Sequence, residues 1–319
     1  RETAARTALG AAATQLLAAS MQHPNLRCIV PMFVPFDLYD FGHRGGVPFV
    51  TGQEAWSLTT LALDLSYAPP PYPPIPMIAP VDGDDGTLTQ AAILEHLQNP
   101  THGEIFLSAG HRDSLASPID TPFWLTQSPH LAAPAVSQSG VAAYFIAGWY
   151  DGFSRDTFLW YENVDVPKKL AVGPWFHHKP DKDFILAEHL RWYDYHLKGI
   201  DNGIMDEPPI HYLTENSTGS WRSARRWPPR ALQVPFFFKG RQSGTVDSVN
   251  DGSLGFWPSM RMQAADDYAI DYSTSTGYPN RYLNTLETPD APYGYNPMNS
   301  LDERSLTYTS RPLRRAVTI

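Results

Sequence analysis

Along the first two-thirds of the chain, apolar residues gather in short unbroken runs instead of alternating with polar ones. Residues 28–34 read Cys-Ile-Val-Pro-Met-Phe-Val, residues 141–149 read Val-Ala-Ala-Tyr-Phe-Ile-Ala-Gly-Trp, and residues 169–175 read Lys-Leu-Ala-Val-Gly-Pro-Trp. A run of this kind suits a strand buried on both faces, so each predicts a strand of a parallel sheet. Between the second and third runs, residues 155–163 read as a helix, and strand–helix–strand at that length makes a βαβ unit. Residues 10–21 are rich in Ala and Leu with no Pro, a helix suited to close packing. A further helix over 184–198 is rich in aromatics and ends at Gly199, a C-cap residue.

From 37 to 139 the texture changes. Tyr67-Ala68-Pro69-Pro70-Pro71-Tyr72-Pro73-Pro74 reads as a polyproline-like connector. Residues 87–97 read as a short amphipathic helix with Leu88, Ala91, Ile93, Leu94 and Leu97 on its apolar face. The stretch is too long for a simple connection and reads as an insertion capping the core. From about Pro208 the pattern is all-β: residues 209–213 and 234–238 are strand-like, with turn signals at Lys239-Gly240 and Asn250-Asp251-Gly252. The expected organisation is core residues 1–36, a cap over 37–139, core residues 140–206, and a C-terminal β-sandwich over 207–319.

The 319 residues are 42% hydrophobic, enough for a sizeable core, and the 30 prolines and 16 tyrosines argue for many loops and aromatic packing over a helical bundle. Lys and Arg total 24 against a net charge of −9, and they form no long basic stripe, which argues against a nucleic-acid partner. The densest basic patch, Arg222, Arg225 and Arg226, reads as a solvated or structural feature. The single cysteine, Cys28, sits in an apolar run and reads as a buried, inert thiol. No apolar stretch reaches the ~20 residues of a membrane span. The histidines form no ligand-spaced cluster with nearby acids, so neither a metal nor another cofactor is expected.

Two of the apolar runs end in groups that can do chemistry. The second continues as Gly148-Trp149-Tyr150-Asp151-Gly152-Phe153 and the third as Gly173-Pro174-Trp175-Phe176-His177-His178. In open parallel sheets functional groups collect beyond the carboxyl ends of the strands. A buried carboxylate beside an imidazole can fix its tautomer, and Asp151 followed by His177 matches the acid-then-histidine order of α/β-hydrolases. The residues alone leave alternatives open: Asp-Gly after a strand is also an ordinary turn, and a histidine there is often only a satisfied polar residue.

These motifs resemble the acid and histidine motifs of the CocE/NonD serine hydrolases, the group that takes in cocaine esterase and X-Pro dipeptidyl peptidase-like enzymes. The run Glu188-His189-Leu190-Arg191-Trp192-Tyr193-Asp194-Tyr195-His196-Leu197-Lys198-Gly199-Ile200-Asp201-Asn202-Gly203 is similar to the family as well. So are Pro208-Pro209-Ile210, the pair Trp221 and Trp227, and Asp302-Glu303-Arg304-Ser305-Leu306-Thr307-Tyr308-Thr309-Ser310. The resemblance implies a partial α/β-hydrolase core with a helical cap, followed by a partial jelly-roll-like β-sandwich. It implies hydrolysis of small-molecule esters or amides, with Asp151 as triad acid and His177 as triad base. His178 is a neighbour that a one-residue shift could exchange with His177. Pocket candidates are Trp149, Tyr150, Phe153 and His178; Phe153 is placed by the resemblance in the acyl pocket, whereas base rates for buried aromatics favour packing roles for Trp149 and Trp175.

The chain departs from the family at the nucleophile. Aligning the helix over 10–21 and the following His23-Pro24 puts Ala8 where the serine of the Gly-x-Ser-x-x-Gly elbow belongs. Arg6 stands at the first glycine, Gly10 at the later one, and Thr7 one position off. No other such elbow occurs before Asp151. The family's strands before the elbow, one of its oxyanion donors and the end of its sandwich have no counterpart in the sequence. The expectation is a chain inactive alone, either part of a longer sequence or completed by another chain or a larger assembly. The alternative is a non-catalytic pseudoenzyme kept as a structural or accessory subunit.

Overall fold

The computed structural model describes residues 13–66, 83–117, 119–177, 179–215, 220–260, 265–274, 298–315 and 317. The polyproline-like connector, Ala8 and His178 lie outside them. The described chain forms two compact units that divide between Arg225 and Arg226.

The first unit opens with helix α1 over 13–20, tied to strand β1 (Cys28–Ile29) by Gln15, whose Oε1 accepts from Val30 N at 2.8 Å. Strands β2 (Ala142–Gly148), β3 (Lys168–Gly173) and β4 (Ile210–Leu213) follow, then β5 (Trp221–Ala224), in the sheet order β1-β2-β3-β4-β5. The first four run parallel and β5 is antiparallel to β4. All seven residues of β2 are buried, as a central strand covered on both faces must be.

The first apolar run pairs as a strand for only two residues. Pro31 has no N–H to give the ladder, pairing resumes at Met32 opposite Ile146, and Phe33 then takes the left-handed backbone region (φ 52°) and turns the chain away. Cys28 is buried, which pushes its thiol up to about 11.

Helices α8 (Ser154–Asn163) and α9 (Lys182–Lys198) cover opposite faces of the sheet. Successive strand residues point to opposite faces. Tyr144 accordingly meets Trp192 of α9 (ring centroids 5.4 Å), while Phe145 meets Tyr161 of α8 (6.3 Å). Asp181 caps α9 by accepting from Phe184 N at 2.8 Å, and Gly199 ends it at φ 68°. The α9 side holds a core of Val30, Phe33, Tyr144, Ile146, Trp175 and Ile204.

Residues 37–139 supply α2 (Leu38–Gly42), α3 (Val50–Asp64), α4 (Thr87–His96), α5 (His102–Ser108), α6 (Phe123–Gln127) and α7 (Ala133–Ser139), with short 3-10 turns at Arg44–Gly46 and Pro129–Ala132. Among the described residues none of this stretch joins the sheet. It has its own core, in which Leu38, Ile105, Phe106 and Trp124 pack together. A capping box starts α5, Thr101 taking Glu104 N while Glu104 takes Thr101 N.

Two expectations are corrected here. Helix α4 buries none of its residues, and Leu88, Leu94 and Leu97 are exposed: a stripe of apolar positions is buried only if another element is brought to it. Of residues 209–213, assigned from their texture to the C-terminal sandwich, Ile210–Leu213 form β4 of the first sheet, with Leu170 N donating to Pro209 O at 2.8 Å and Ile210 fully buried. A strand pattern does not say which sheet the strand will join, and the boundary falls at 225/226 instead of 206/207.

In the second unit, β6 (Phe237–Gln242) is antiparallel to β7 (Asn250–Gly255), and β7 is parallel to β8 (Leu306–Ser310), which follows the short helix α10 (Asn299–Asp302). The strand expected over 234–238 begins only at Phe237, after Pro235. The described residues show three strands there, fewer than a jelly roll uses.

Candidate active site

The site is built where β2 and β3 end. Their last residues, Gly148 and Gly173, stand opposite each other in register. Beyond them the two loops stay zipped: Trp149 N donates to Gly173 O at 2.9 Å and Tyr150 N to Trp175 O at 3.1 Å. This approach explains both glycines. A Cβ on Gly148 would lie 2.2 Å from Trp175 O, and one on Gly173 would lie 2.2 Å from the Trp175 ring. The Gly-Trp and Gly-Pro-Trp motifs are therefore the packing of two strand ends, and Trp175 is a buried packing residue.

The zipped loops bring Asp151 and His177 together. Asp151 turns directly off β2, its N–H donating to Gly148 O at 3.1 Å, and it is 1% exposed. Its Oδ2 accepts from Phe153 N at 3.0 Å, which fixes the carboxylate, and its Oδ1 pairs with His177 Nδ1 at 2.7 Å. An imidazole whose Nδ1 is held by a buried carboxylate carries its proton there and presents Nε2 as the basic atom. The His177 side chain is 12% exposed.

Two phenyl rings touch that imidazole: Phe153, with centroids 5.4 Å apart, and Phe33, 5.6 Å away. Phe41 of α2 packs on Phe153 at 4.4 Å, so the segment inserted between β1 and β2 reaches the edge of the pair. Of the other pocket candidates, His178 lies outside the described residues, and Trp149 and Tyr150 make the following contacts. Trp149 donates from Nε1 to Leu213 O at 2.7 Å and stacks on Phe158, which ties it to β4 and α8; Tyr150 stacks on Phe176 at 4.9 Å. Among the described residues no group of three or more His, Cys, Asp or Glu side chains is placed to hold a metal.

The sequence reading missed three features. One is Phe33 itself. The second is Asp156, fully buried on α8, whose Oδ2 accepts from Phe36 N at 2.9 Å and whose carboxyl is pushed up to about 6, mainly by burial. The third is a buried ionic network at Lys169 of β3. A left-handed φ leaves no mark on a phenylalanine in the sequence; the Lys inside an apolar run was the visible signal for the network.

A mostly parallel sheet covered by helices, with an acid and a histidine paired beyond adjacent strand ends in that chain order, defines an α/β-hydrolase. The family model for X-Pro dipeptidyl-peptidase (S15 family) matches residues 11–179, a span that contains both Asp151 and His177. The chain belongs to that family, in keeping with the CocE/NonD resemblance of its motifs.

A Mycobacterium bovis protein named as a candidate serine esterase is 30% identical over 332 residues, covering 92% of this chain and 50% of the relative. A Bacillus cereus protein named as a candidate Xaa-Pro dipeptidyl-peptidase is 27% identical over 162 residues, covering 49% of this chain and 27% of the relative. The chain thus spans half the length of the mycobacterial relative it matches. A solved CocE/NonD family hydrolase from Staphylococcus aureus superposes with a TM-score of 0.47 at 19% identity, covering 72% of this chain and 35% of the other. Among the described residues no helix is long and apolar enough to cross a membrane.

Proposed function

We propose that this chain serves a serine hydrolase reaction on small acyl esters or amides, with His177 as general base and Asp151 as the acid that orients it. The observation that carries the reading is the 2.7 Å bond between His177 Nδ1 and the buried Asp151 Oδ1 at the ends of adjacent parallel strands. His177 Nε2 takes the proton of a serine hydroxyl as its oxygen attacks the substrate carbonyl. The imidazolium, stabilised by Asp151, then returns that proton to the departing alcohol or amine. Water attacks the acyl-serine by the same route, and the serine recovers its proton.

The serine is the open element. The elbow position aligns with Ala8, which has no nucleophilic atom and lies outside the described residues. That alignment favours a second reading, in which the chain is a non-catalytic accessory subunit held by a larger assembly. In both readings the chain by itself hydrolyses an activated ester at background rate, and His177→Ala changes nothing. Fluorophosphonate labelling of the native protein separates them. A labelled serine on this chain, or on a chain that co-purifies with it, supports the hydrolase and rejects the accessory role. Folded protein that takes no label, arriving with fixed partners in a native pull-down, does the reverse.

A further inference from the structure

The acid–histidine pair rests against a residue that the reaction scheme does not use. Phe33 is fully buried and holds a left-handed backbone (φ 52°) where the chain leaves the sheet. A residue with a bulky side chain is strained there, and such strain persists only where the surroundings over-determine it. The surroundings are identifiable. Phe33 N donates to Ile146 O at 2.9 Å. Val34 N donates to Thr157 Oγ1 at 3.3 Å, Phe36 N to Asp156 Oδ2 at 2.9 Å, and Trp160 Nε1 to Pro35 O at 2.7 Å. Thr157 Oγ1 in turn donates to Phe153 O at 3.0 Å. Asp156, Thr157 and Trp160 are all fully buried and all on α8, the helix that starts at Ser154 directly after the Asp151 loop. The helix that follows the acid therefore grips the strap of residues 33–36 with three side chains.

What the grip fixes is the Phe33 ring. Its Cε1 packs 3.2 Å from where a Cβ on Gly148 would stand, and its centroid is 5.6 Å from the His177 imidazole at a 59° tilt. Such an anchor answers a physical need. The χ2 rotation of a histidine is broad, and a bond at Nδ1 does not by its own geometry fix the plane of the ring. Phenyl rings packed on the imidazole remove the freedom.

We infer that Phe33 is a positioning residue for His177: its ring, held by the left-handed turn and the α8 grip, keeps the imidazole in the orientation in which Nδ1 faces Asp151 Oδ1. The inference rests on the acid–histidine reading above and adds what sets the imidazole's orientation.

The test is NMR of the histidine-labelled chain, which needs no catalytic turnover. A proton on His177 Nδ1 bonded to a buried carboxylate resonates at low field and is assigned by its loss in His177→Ala. Three variants are compared. Phe33→Gly removes the ring and relieves the backbone strain, Phe33→Ala removes the ring and keeps the strain, and Phe33→Leu keeps the bulk. Positioning predicts that solvent exchange of this proton rises roughly tenfold or more in both the Gly and Ala variants, and that Leu restores most of the protection. The rise should be alike in the two although Gly is the more stable.

A role in stability alone predicts that exchange follows stability, with Gly better protected than Ala. That result, or exchange unchanged in folded Phe33→Gly, overturns the inference. Should Phe33→Ala not fold, Gly against Leu decides it. Thr157→Val, which loses the hydroxyl that takes Val34 N–H, should raise exchange less, and Thr157→Ser should restore it; faster exchange in neither Thr157→Val nor Phe33→Gly also overturns the inference. If the unmodified protein lacks the low-field proton, the acid–histidine pair falls and the inference with it. If the proton is present but indifferent to Phe33, only the positioning role falls.

Discussion

Replacing Lys169 with Met tests whether a buried cation holds the sheet to the α9 side. Lys169 lies inside β3 with its side chain 1% exposed. Its Nζ donates to Ile204 O at 2.8 Å and to Glu207 Oε2 at 2.8 Å, and sits 5.9 Å over the Tyr144 ring. Glu207 also accepts from Arg191, Arg191 donates to Glu188 at 2.7 Å, and Glu188 accepts from Tyr144 OH at 2.6 Å. Two cations thus face two carboxylates. Methionine fills the space of the lysine stem but leaves two carboxylates sharing one guanidinium, with the Ile204 carbonyl unpaired.

Orphaning a buried charge costs about 3–5 kcal/mol. Glu207 keeps Arg191, and 31% of its side chain remains in solvent, so the low end applies, about 3 kcal/mol. For a unit of 150–250 residues that corresponds to a fall in Tm of roughly 6–12 °C, at ~2–4 °C per kcal/mol.

The assay is thermal and urea unfolding followed by circular dichroism, for Lys169→Met, Glu207→Gln and the double variant. The two residues share one bond, so the double variant should be less destabilised than the sum of the singles. The cost should also depend on pH. Burial acts to raise the Glu207 carboxyl, but the bonds from Lys169 and Arg191 outweigh it and hold the group below its ordinary value. A depressed carboxyl contributes stability above its unfolded pKa and loses it as pH falls through the folded one. The gap between parent and Lys169→Met should therefore be full near neutral pH and shrink below about pH 4.3. A Lys169→Met protein within about 0.5 kcal/mol of the parent, or strict additivity in the double variant, would refute the reasoning.

Other outcomes follow from the same contacts. Gly148→Ala drives a Cβ to 2.2 Å from Trp175 O and should cost about 1–3 kcal/mol in urea unfolding while shifting the His177 resonances; an unchanged midpoint would show that the strand ends have slack. His102 is buried, bonded to Gln53 Oε1 at 2.5 Å, and held down to about 4 by burial. The unfolded chain takes up protons near the ordinary histidine value while the folded one does not, so stability should fall as pH drops from about 6.5 towards 4. His102→Gln should flatten that slope, and an identical slope in the variant would remove His102 as its source.

Much of the chain could be read without coordinates, for a common physical reason. The runs that became β2 and β3, the helices between and after them, and the order of Asp151 and His177 are set by neighbours in sequence: side-chain period, capping residues, and glycines where strands end. Two parallel strands joined by a helix put their ends side by side, so an acid after one and a histidine after the other had to emerge close together.

What the sequence could not decide depends on residues far apart in the chain. Val34 N finds Thr157 across 123 positions and Phe36 N finds Asp156 across 120, and such encounters help to hold Phe33 left-handed. Residues 210–213 have the texture of any strand, and their place in the first sheet was settled by the β3 edge waiting for them. Lys169 is buried because Glu207 and Ile204 O meet it there. Leu88, Leu94 and Leu97 stay exposed although their spacing suits burial. Local propensity sets what an element is. Which donor meets which acceptor, and which face is covered, is decided only when the tertiary fold brings the partners together.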